Sequence, residues 1–446
     1  MKTIHITLWG LLAGLSLLWL GANLPLPDIF TVISVRNLLV QYSGVLSIGA
    51  MSVAMILATR APLIDRWLNG LDKSYRLHKW LGITTLVTTV SHWVFVSGPK
   101  WAVDLGLMEA PERQRPSGAL PDLGAVQTFL NSLREPAEGL GEKAFYVAVL
   151  LIIVALIKRI PYRFFAKTHT LIAIAYLVLV FHSIVLMDFA AWTQPVGIIT
   201  ALLLIGGTIA ALLTLTRQIG RRRRVACKVT ALRQFPSMKV TEAEVTVNAG
   251  WTGHDAGQFA FVTFDKSEGA HPFTIASDWD ESTRAITFIS KTLGDYTAVL
   301  PEQMAVGDDV TVEGPYGRFT FEDTKERQIW IGAGIGITPF IARLKHLAEA
   351  PDGKTFDLFH TVPAIEAGPK ALLEGDAAAA DVKLHLMHDD TDGLLTGARL
   401  REMVPDWSGA SVWFCGPAGF GAALRRDLVA NGLRPADFHQ ELFNMR

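Results

Sequence analysis

Charge is scarce in this chain: Asp, Glu, Lys and Arg make up 19% of its 446 residues, against 50% hydrophobic. The formal net charge is −1, which argues against a protein built mainly to grip nucleic acid. Cysteine is scarcer still, with Cys227 and Cys415 alone. Two thiols in so long a chain make no disulfide framework, and both are expected to be free in a cytoplasmic part. No stretch matches the ligand pattern of a calcium-binding loop. The first apolar run lacks an obvious small-x-small cleavage pattern, so it is expected to stay as a helix rather than leave as a signal peptide.

What the chain has is apolar length, with a mean hydropathy of +0.30. Its apolar residues concentrate before about residue 216, and the remainder reads as a water-soluble α/β protein. Six apolar spans are expected, roughly 4–22, 36–59, 78–97, 143–157, 169–187 and 195–216. Most approach the length of about 20 residues that crosses a hydrocarbon core. The fourth is short and is expected to begin earlier, near Gly139.

Basic residues orient these spans. Arg60, Arg66, Lys73, Arg76 and Lys79 lie between spans two and three, Lys158, Arg159, Arg163 and Lys167 between four and five, and Arg217 with Arg221 to Arg224 after six. The positive-inside rule makes these segments cytoplasmic and both termini cytoplasmic with them. The arginine run reads as this topology signal rather than as a lipid site. The segment from about 98 to 140, carrying Pro99, Pro111, Pro116, Pro121 and Pro136, is expected as a flexible outer loop. Trp9, Trp19, Trp93, Trp101 and Trp192 read as interface anchors.

Against that background "LHKWLGITTLVTTVSHWV" (77–94) and "THTLIAIAYLVLVFHSIV" (168–185) each place two histidines in a span. Polar groups there are costly unless bound. Spans three and five run parallel, so His78 lies level with His169 near the inner face and His92 with His182 near the outer. The spacings of 14 and 13 residues correspond to about 20 Å of helix. Two levels with two imidazoles each suit two stacked b-type haems with six-coordinate iron, a state fit for electron transfer. Fourteen steps return near the starting face, but 13 leave the second side chain about 140° away, so a distorted first turn at His169 or an irregular span five is expected. Arg36 and Arg60 are equally suited to haem propionates and to the membrane boundary.

In the second half, "CKVTALRQF", "MKVTEAEVTV", "GQFAFVTF", "AITFIS" and "DDVTVEGPYGRF" alternate as strands of a small antiparallel barrel over 225–325. From 326 to 446 strand-like and helical runs alternate, predicting a parallel sheet with helices on both faces. The strand "RQIWIGAG" leads into "GAGIGITPF", whose Gly332, Gly334 and Gly336 permit a tight turn close to a pyrophosphate at the next helix N-terminus. "HPFTIAS" (271–277) offers Phe273 at the sheet surface, and "KTLGDYT" (291–297) offers Gly294 and Thr297 in a turn. His5, His254, His346, His360, His385, His388 and His439 receive no functional role, and "HLMH" alternates as a strand would.

The order "HPFT", "GDYT", "EGPYG", "GAGIGITPF", "FCGP" and "FHQELF", behind six spans (1–220) with paired histidines, resembles the superfamily of ferric reductases and NADPH oxidases. The soluble half resembles ferredoxin-NADP reductase. The resemblance implies FAD in the barrel, with Phe273 against the isoalloxazine and Thr274 near its reactive nitrogen. His271 and Pro272 stand beside them, with His271, Gly294 and Thr297 near the ribityl and phosphate groups. It implies NAD(P)H cradled by Gly332, Gly334, Gly336, Thr338 and Pro339, the nicotinamide flanked by Cys415, Gly416 and Pro417, and Glu441 and Phe443 closing over the flavin. His78, His92, His169 and His182 are the implied iron ligands. The implied activity, without a calcium switch, is transfer of electrons from cytoplasmic NAD(P)H through FAD and two b haems to an outer acceptor. That acceptor is a ferric chelate in the first place, with dioxygen or an extracytoplasmic redox protein as alternatives. After "TFDLFH", "TVPAIEAGPK" has neither the arginine many NADP-using relatives carry nor an acid directly at the strand end, so NADPH and NADH both stay open. The chain also runs past Phe443 through Asn444, Met445 and Arg446.

Overall fold

The computed structural model describes residues 2–26, 29–109, 124–157, 159–292 and 294–441. They form two compact units, one of residues 1–64 and 73–219 and the other of residues 65–72 and 220–445.

The first half of the chain is helical: α1 Lys2–Ala22, α2 Val32–Ala58, α3 Pro62–Leu68, α4 Leu71–Asp104, α5 Ala125–Ser132, α6 Arg134–Leu156, α7 Tyr162–Leu186 and α8 Pro195–Leu215. By length and composition α1, α2, α4, α6, α7 and α8 can each cross a membrane. Their starts are legible locally. Thr31 and Ser34 exchange hydrogen bonds as a capping box at α2, and Pro195 opens α8, where a missing N–H costs nothing.

Several helices overrun the expected spans. The stretch from Arg60 to Lys79, expected as a loop, is mostly α3 and the opening turns of α4. At its other end α4 continues through Pro99 to Asp104, and α6 begins at Arg134, ahead of Gly139. The segment expected as an outer loop is therefore helical on both flanks, while Pro111, Pro116 and Pro121 fall outside the described residues. A hydropathy window finds where lipid ends. A helix stops only where its backbone bonds stop, and charged residues beyond the hydrocarbon do not break them.

Inside the helical unit polar side chains meet one another. The hydroxyl of fully buried Tyr176 lies 2.8 Å from Ser52 Oγ. Only a glycine fits opposite, because a Cβ on Gly207 of α8 would stand 1.9 Å from that hydroxyl.

The second half holds two sheets. Strands β1 Arg224–Phe235, β2 Val240–Val247, β3 Phe259–Thr263, β4 His271–Thr274, β5 Ala285–Lys291 and β6 Asp309–Tyr316 form an antiparallel sheet in the order β4-β3-β6-β1-β2-β5. A bridge between Ile275 and Phe288 links the segment after β4 to β5. β1 alternates buried and exposed residues over its first half, and β2 alternates buried and half-buried ones, the signature of strands with one face in a core. The segment "GDYT", expected as a turn, opens helix α9 Asp295–Gln303 instead, with Gly294 as its N-cap.

Strands β7 Arg327–Ala333, β8 Thr355–Val362, β9 Lys383–His388, β10 Ser411–Cys415 and β11 Phe438–Gln440 form a parallel sheet in the order β11-β10-β7-β8-β9. Helices α10 Thr338–Glu349, α11 Ala367–Ala379, α12 Asp389–Asp392, α13 Gly397–Met403 and α14 Ala418–Ala430 connect them. Both faces are covered. Trp330, Leu358 and Trp413 enter one core with Phe340 of α10, while Ile329, Ile331, Val412 and Phe414 enter another with Leu400 and Leu424. This two-sided burial shows in β8 and β10, which are buried at nearly every position.

The two sheets share a core, since Phe319 and Phe321, just beyond β6, pack against Trp413 at 5.1 and 5.2 Å between ring centroids. Asp323 follows them and accepts hydrogen bonds from Gln328 Nε2 (3.0 Å), Trp413 Nε1 (3.2 Å) and Ser411 Oγ (2.5 Å), with Lys354 Nζ at 3.1 Å. Burial raises this carboxyl's pKa, and these donors outweigh burial and hold it below the usual carboxylate range.

His254 is a buried titratable group whose tautomer is set. Its Nδ1 accepts from Trp251 Nε1 (3.3 Å), so its Nε2 is the atom that donates to the Ser277 carbonyl (3.0 Å). Burial pushes its pKa down, against smaller opposing effects of Ser277, Asp278 and Asp255. Burial likewise brings His271 to about 4. Between about 6.5, the unfolded value, and the folded values, the unfolded chain binds more protons, so stability is full above the window and falls with pH through it. The thermal unfolding midpoint of the purified chain in detergent should accordingly drop as pH is lowered from 7 to 5, by differential scanning fluorimetry, and His254→Gln should flatten that slope.

Candidate functional site

The four intramembrane histidines come together in the expected pairs. His78 on α4 faces His169 on α7 with ring centroids 5.7 Å apart and planes at 70°, and His92 faces His182 at 6.4 Å and 82°. Two bonds of about 2 Å to a shared metal put facing imidazole centroids roughly 6 Å apart. Among the described residues no group of three or more His, Cys, Asp or Glu is placed to hold a metal ion, so each pair would offer a metal two imidazoles.

The imidazoles are held by backbone. His78 Nδ1 lies 2.9 Å from the Ala54 carbonyl, His92 Nδ1 3.0 Å from that of Val40, and His182 Nδ1 2.9 Å from that of Ala137. A carbonyl only accepts, so each Nδ1 carries the proton and each Nε2 keeps a lone pair for a metal. Ser43 Oγ adds a contact of 3.1 Å to His92 Nδ1.

Sequence reasoning missed the residues that make room for these bonds. In a helix the carbonyl of residue i is also taken by the amide of residue i+4, so a ring reaching it must pass the side chain at i+4. Those positions are Ala58, Gly44 and Gly141. A Cβ on Gly44 would stand 3.5 Å from His92 Cε1, and one on Gly141 only 2.0 Å from His182 Nδ1. The readable signal was a small residue four places after a helix-interior carbonyl, which needs the partner helix to interpret.

His169 differs. Its Nδ1 is buried without a hydrogen-bond partner among the described residues, and its ring stacks on Phe165 at 5.1 Å and 25°. The expected distorted first turn is absent, since α7 begins at Tyr162 and runs unbroken through both histidines. The 13-residue spacing thus coincides with a ring that approaches no carbonyl. Arg36 donates to the Val96 carbonyl at 3.3 Å and to Asn37 Oδ1 at 3.0 Å. Arg60 sits beyond α2 with φ 56°.

A second candidate site lies at the carboxyl edge of the parallel sheet. β8 and β9 follow β7 to one side while β10 and β11 lie on its other side, so the order reverses between β7 and β10, where ligands bind in open α/β sheets. Gly332 at the end of β7 pairs in register with Cys415 at the end of β10. The two turns then touch backbone to backbone. A Cβ on Gly336 would fall 2.2 Å from the Cys415 carbonyl, and one on Gly416 2.7 Å from Ala333 Cβ. Gly334, with φ +57° and open space where a Cβ would stand, takes the left-handed conformation. Thr338 and Pro339 begin α10 there, and Thr338 Oγ1 donates to Ile335 O at 2.8 Å.

His360, given no role from sequence, donates through Nδ1 to the Gly332 carbonyl at 2.9 Å and so braces the glycine turn. Cys415 is fully buried, and its thiol is pushed far up, by burial first and Glu441 second, so it stays neutral. Glu441 is buried just beyond β11, and its amide donates to the Phe414 carbonyl at 3.4 Å. Pro417 caps α14, and Phe443 lies outside the described residues.

The antiparallel sheet brings His271 against Tyr296 of α9, with centroids 4.1 Å apart and planes at 18°. Gly294 N–H donates to Thr297 Oγ1 at 3.1 Å, and no atom stands where a Cβ on Gly294 would be. Phe273 and Thr274 are buried at 8% exposure each. Phe273 packs edge-on against Phe264 and Phe288 in the core of the sheet, and does not lie open at its surface as expected. Alternation places His271 and Phe273 on one side of β4, and that side faces packing partners.

Comparison with known proteins agrees with this division. Residues 43–180 match the family described as "Ferric reductase like transmembrane component". The chain is 26% identical over 203 residues to a flavohemoprotein of Xylella fastidiosa, covering 43% of this chain and 51% of that one. It is 25% identical over 157 residues to a glycine betaine monooxygenase reductase subunit of Chromohalobacter salexigens, covering 32% and 43%. The chain thus spans about half the length of these relatives or less. A crystal structure of flavohemoglobin from Malassezia yamatoensis aligns with a TM-score of 0.48 at 17% identity, over 89% of this chain and 94% of that one.

Gly336→Ala should force the β7 and β10 turns apart. Bleaching of bound flavin by NAD(P)H under argon should fall at least tenfold, with flavin content near that of the parent and a lowered thermal midpoint.

Proposed function

We infer that this chain, which joins a ferric reductase-like transmembrane component to a reductase-like module, is a membrane oxidoreductase. We propose that it uses NAD(P)H on the cytoplasmic side of the plasma membrane to reduce an acceptor on the other side, foremost a ferric chelate. The observation that carries this reading is the pair of facing imidazole pairs, set one above the other on α4 and α7, with three of the four rings oriented by helix carbonyls.

The residues fit FAD in the antiparallel sheet and two b-type haems between the histidine pairs. When bound, these groups supply the conversion of a two-electron hydride into single electrons and their conduction across the bilayer. His78 and His169 hold the inner group, and His92 and His182 the outer one. Gly332, Gly334 and Gly336 bring backbone amides close to a pyrophosphate, aided by the start of α10. The neutral Cys415 thiol, Gly416 and Pro417 offer the nicotinamide a dry wall that excludes water. His271, neutral through burial, and Tyr296 form a stacked ledge beside Gly294 and Thr297 at the start of α9, placed for the ribityl and phosphate portion. Pro272, Phe273 and Thr274 back the isoalloxazine from the core side, and Glu441 closes over it. Basic residues at the ends of the spans keep the reductase half in the cytoplasm.

Gly141→Ala is expected to push the His182 ring off the Ala137 carbonyl. Haem content by pyridine haemochrome should fall from two per chain toward one, with the reduction of bound flavin by NAD(P)H unchanged. A content that stays at two removes His182 from the outer ligand set.

The acceptor is tested by NAD(P)H consumption of the haem-loaded protein in detergent, under air and under argon, with and without ferric chelate. Chelate-dependent turnover that persists under argon, with little superoxide in air, is the expected result. Turnover that needs dioxygen makes the chain an oxidase, and no turnover despite a normal haem spectrum points to a redox-protein acceptor.

A further inference from the structure

The nicotinamide half of a dinucleotide lying across the β7–β10 switch point extends toward β10, which leaves its adenosine half over the carboxyl end of β8. That strand end decides between the two nicotinamide cofactors. An acidic side chain there accepts from the free ribose 2′-hydroxyl, whereas a 2′-phosphate needs a cation, most often arginine. β8 ends at Val362, and residues 361–368, "TVPAIEAG", contain no lysine or arginine. The next cation, Lys370, is exposed and lies 3.8 Å from Glu374 one turn further along α11.

The same stretch contains one fixed charge. Glu366 is the N-cap residue of α11, where a carboxylate is stabilised by the helix dipole. Its Oε1 accepts from the Ser237 amide at 3.2 Å and from the Ser237 hydroxyl, both at the tip of the β1–β2 hairpin. Ser237 thus anchors one oxygen. Sequence alone shows an acid four residues beyond the strand and gives it no address; the hairpin contact holds it at the sheet edge. The fixed negative charge also fills the helix N-terminus that a 2′-phosphate would otherwise use.

We infer that this site selects NADH over NADPH, with Glu366 as the specificity-determining residue that accepts from the adenosine ribose 2′-hydroxyl and repels a 2′-phosphate. The inference rests on reading the β7–β10 crevice as a dinucleotide site. The cation nearest along the hairpin is Lys239, exposed and two residues from Ser237, and it is the competing candidate for a phosphate.

The test is anaerobic flavin bleaching by NADH and by NADPH, in stopped flow, with the full-length flavin-loaded protein in detergent. The parent should favour NADH by at least about tenfold in apparent second-order rate, the scale of one charge-assisted hydrogen bond. Glu366→Gln should bring the two rates together by slowing NADH and speeding NADPH. Ser237→Ala, which frees the carboxylate without removing it, should shrink the ratio partway and serves if the glutamine variant fails to fold. A parent that favours NADPH or accepts both equally overturns the inference, as does a ratio unmoved in both variants or a preference for NADPH lost in Lys239→Ala. Failure of both nucleotides to bleach a bound flavin instead overturns the dinucleotide-site reading itself.

Discussion

The helical unit depends on a hydrogen bond between an imidazole and a helix carbonyl that is already in use. Within a bilayer no water satisfies Nδ1, and a buried polar nitrogen without a partner costs on the order of a few kcal/mol. Carbonyls of Ala54, Val40 and Ala137 meet that need for three of the four rings. One bond does three things at once: it removes a desolvation penalty, fixes the tautomer, and aims Nε2 across the gap between α4 and α7. Ala54 and Val40 are 14 residues apart on α2, as His78 and His92 are on α4, so the two helices meet in register at both levels.

The reductase half obeys a different constraint, close approach of two turns. Strand order places the ends of β7 and β10 side by side, and the turns leaving them have room for each other only because Gly336 and Gly416 carry no Cβ. His360 and the shared aromatic core around Phe319, Phe321 and Trp413 hold the strands beneath. Chemistry at the rim thus rests on packing below it, which is how a glycine-rich segment stays ordered without side chains of its own.

Much of this was legible before any coordinates. Apolar runs, basic flanks and the histidine spacing led to the helices and the pairing, and the strand-turn-helix context of "GAGIGITPF" led to the crevice. The misses have physical causes. "GDYT" looks like a turn because glycine and aspartate favour turns, but the same residues cap helices, and Gly294 with Thr297 does so. Phe273 was expected at the sheet surface, yet the segment after β4 bridges to Phe288 of β5, and Phe273 packs against that ring. A distorted first turn at His169 or an irregular span five was expected because 13 residues leave the second side chain about 140° from the first, and the departure of His169 from its neighbours appears in what its ring touches rather than in the helix.

Composition and period alone therefore located the apolar spans and most of the strands, because burial in lipid or between layers demands apolar faces at fixed repeats. Sequence could not say what the side chains within them would lean on. Gly44, Gly141, Ser237 and His360 carry no signal by themselves, since a glycine or a serine suits many positions. Their roles arise from groups distant in the chain, the His92 and His182 rings, the Glu366 carboxylate and the Gly332 carbonyl. Only the tertiary structure decided those pairings, because short-range sequence preferences do not specify contacts across 28 to 129 residues.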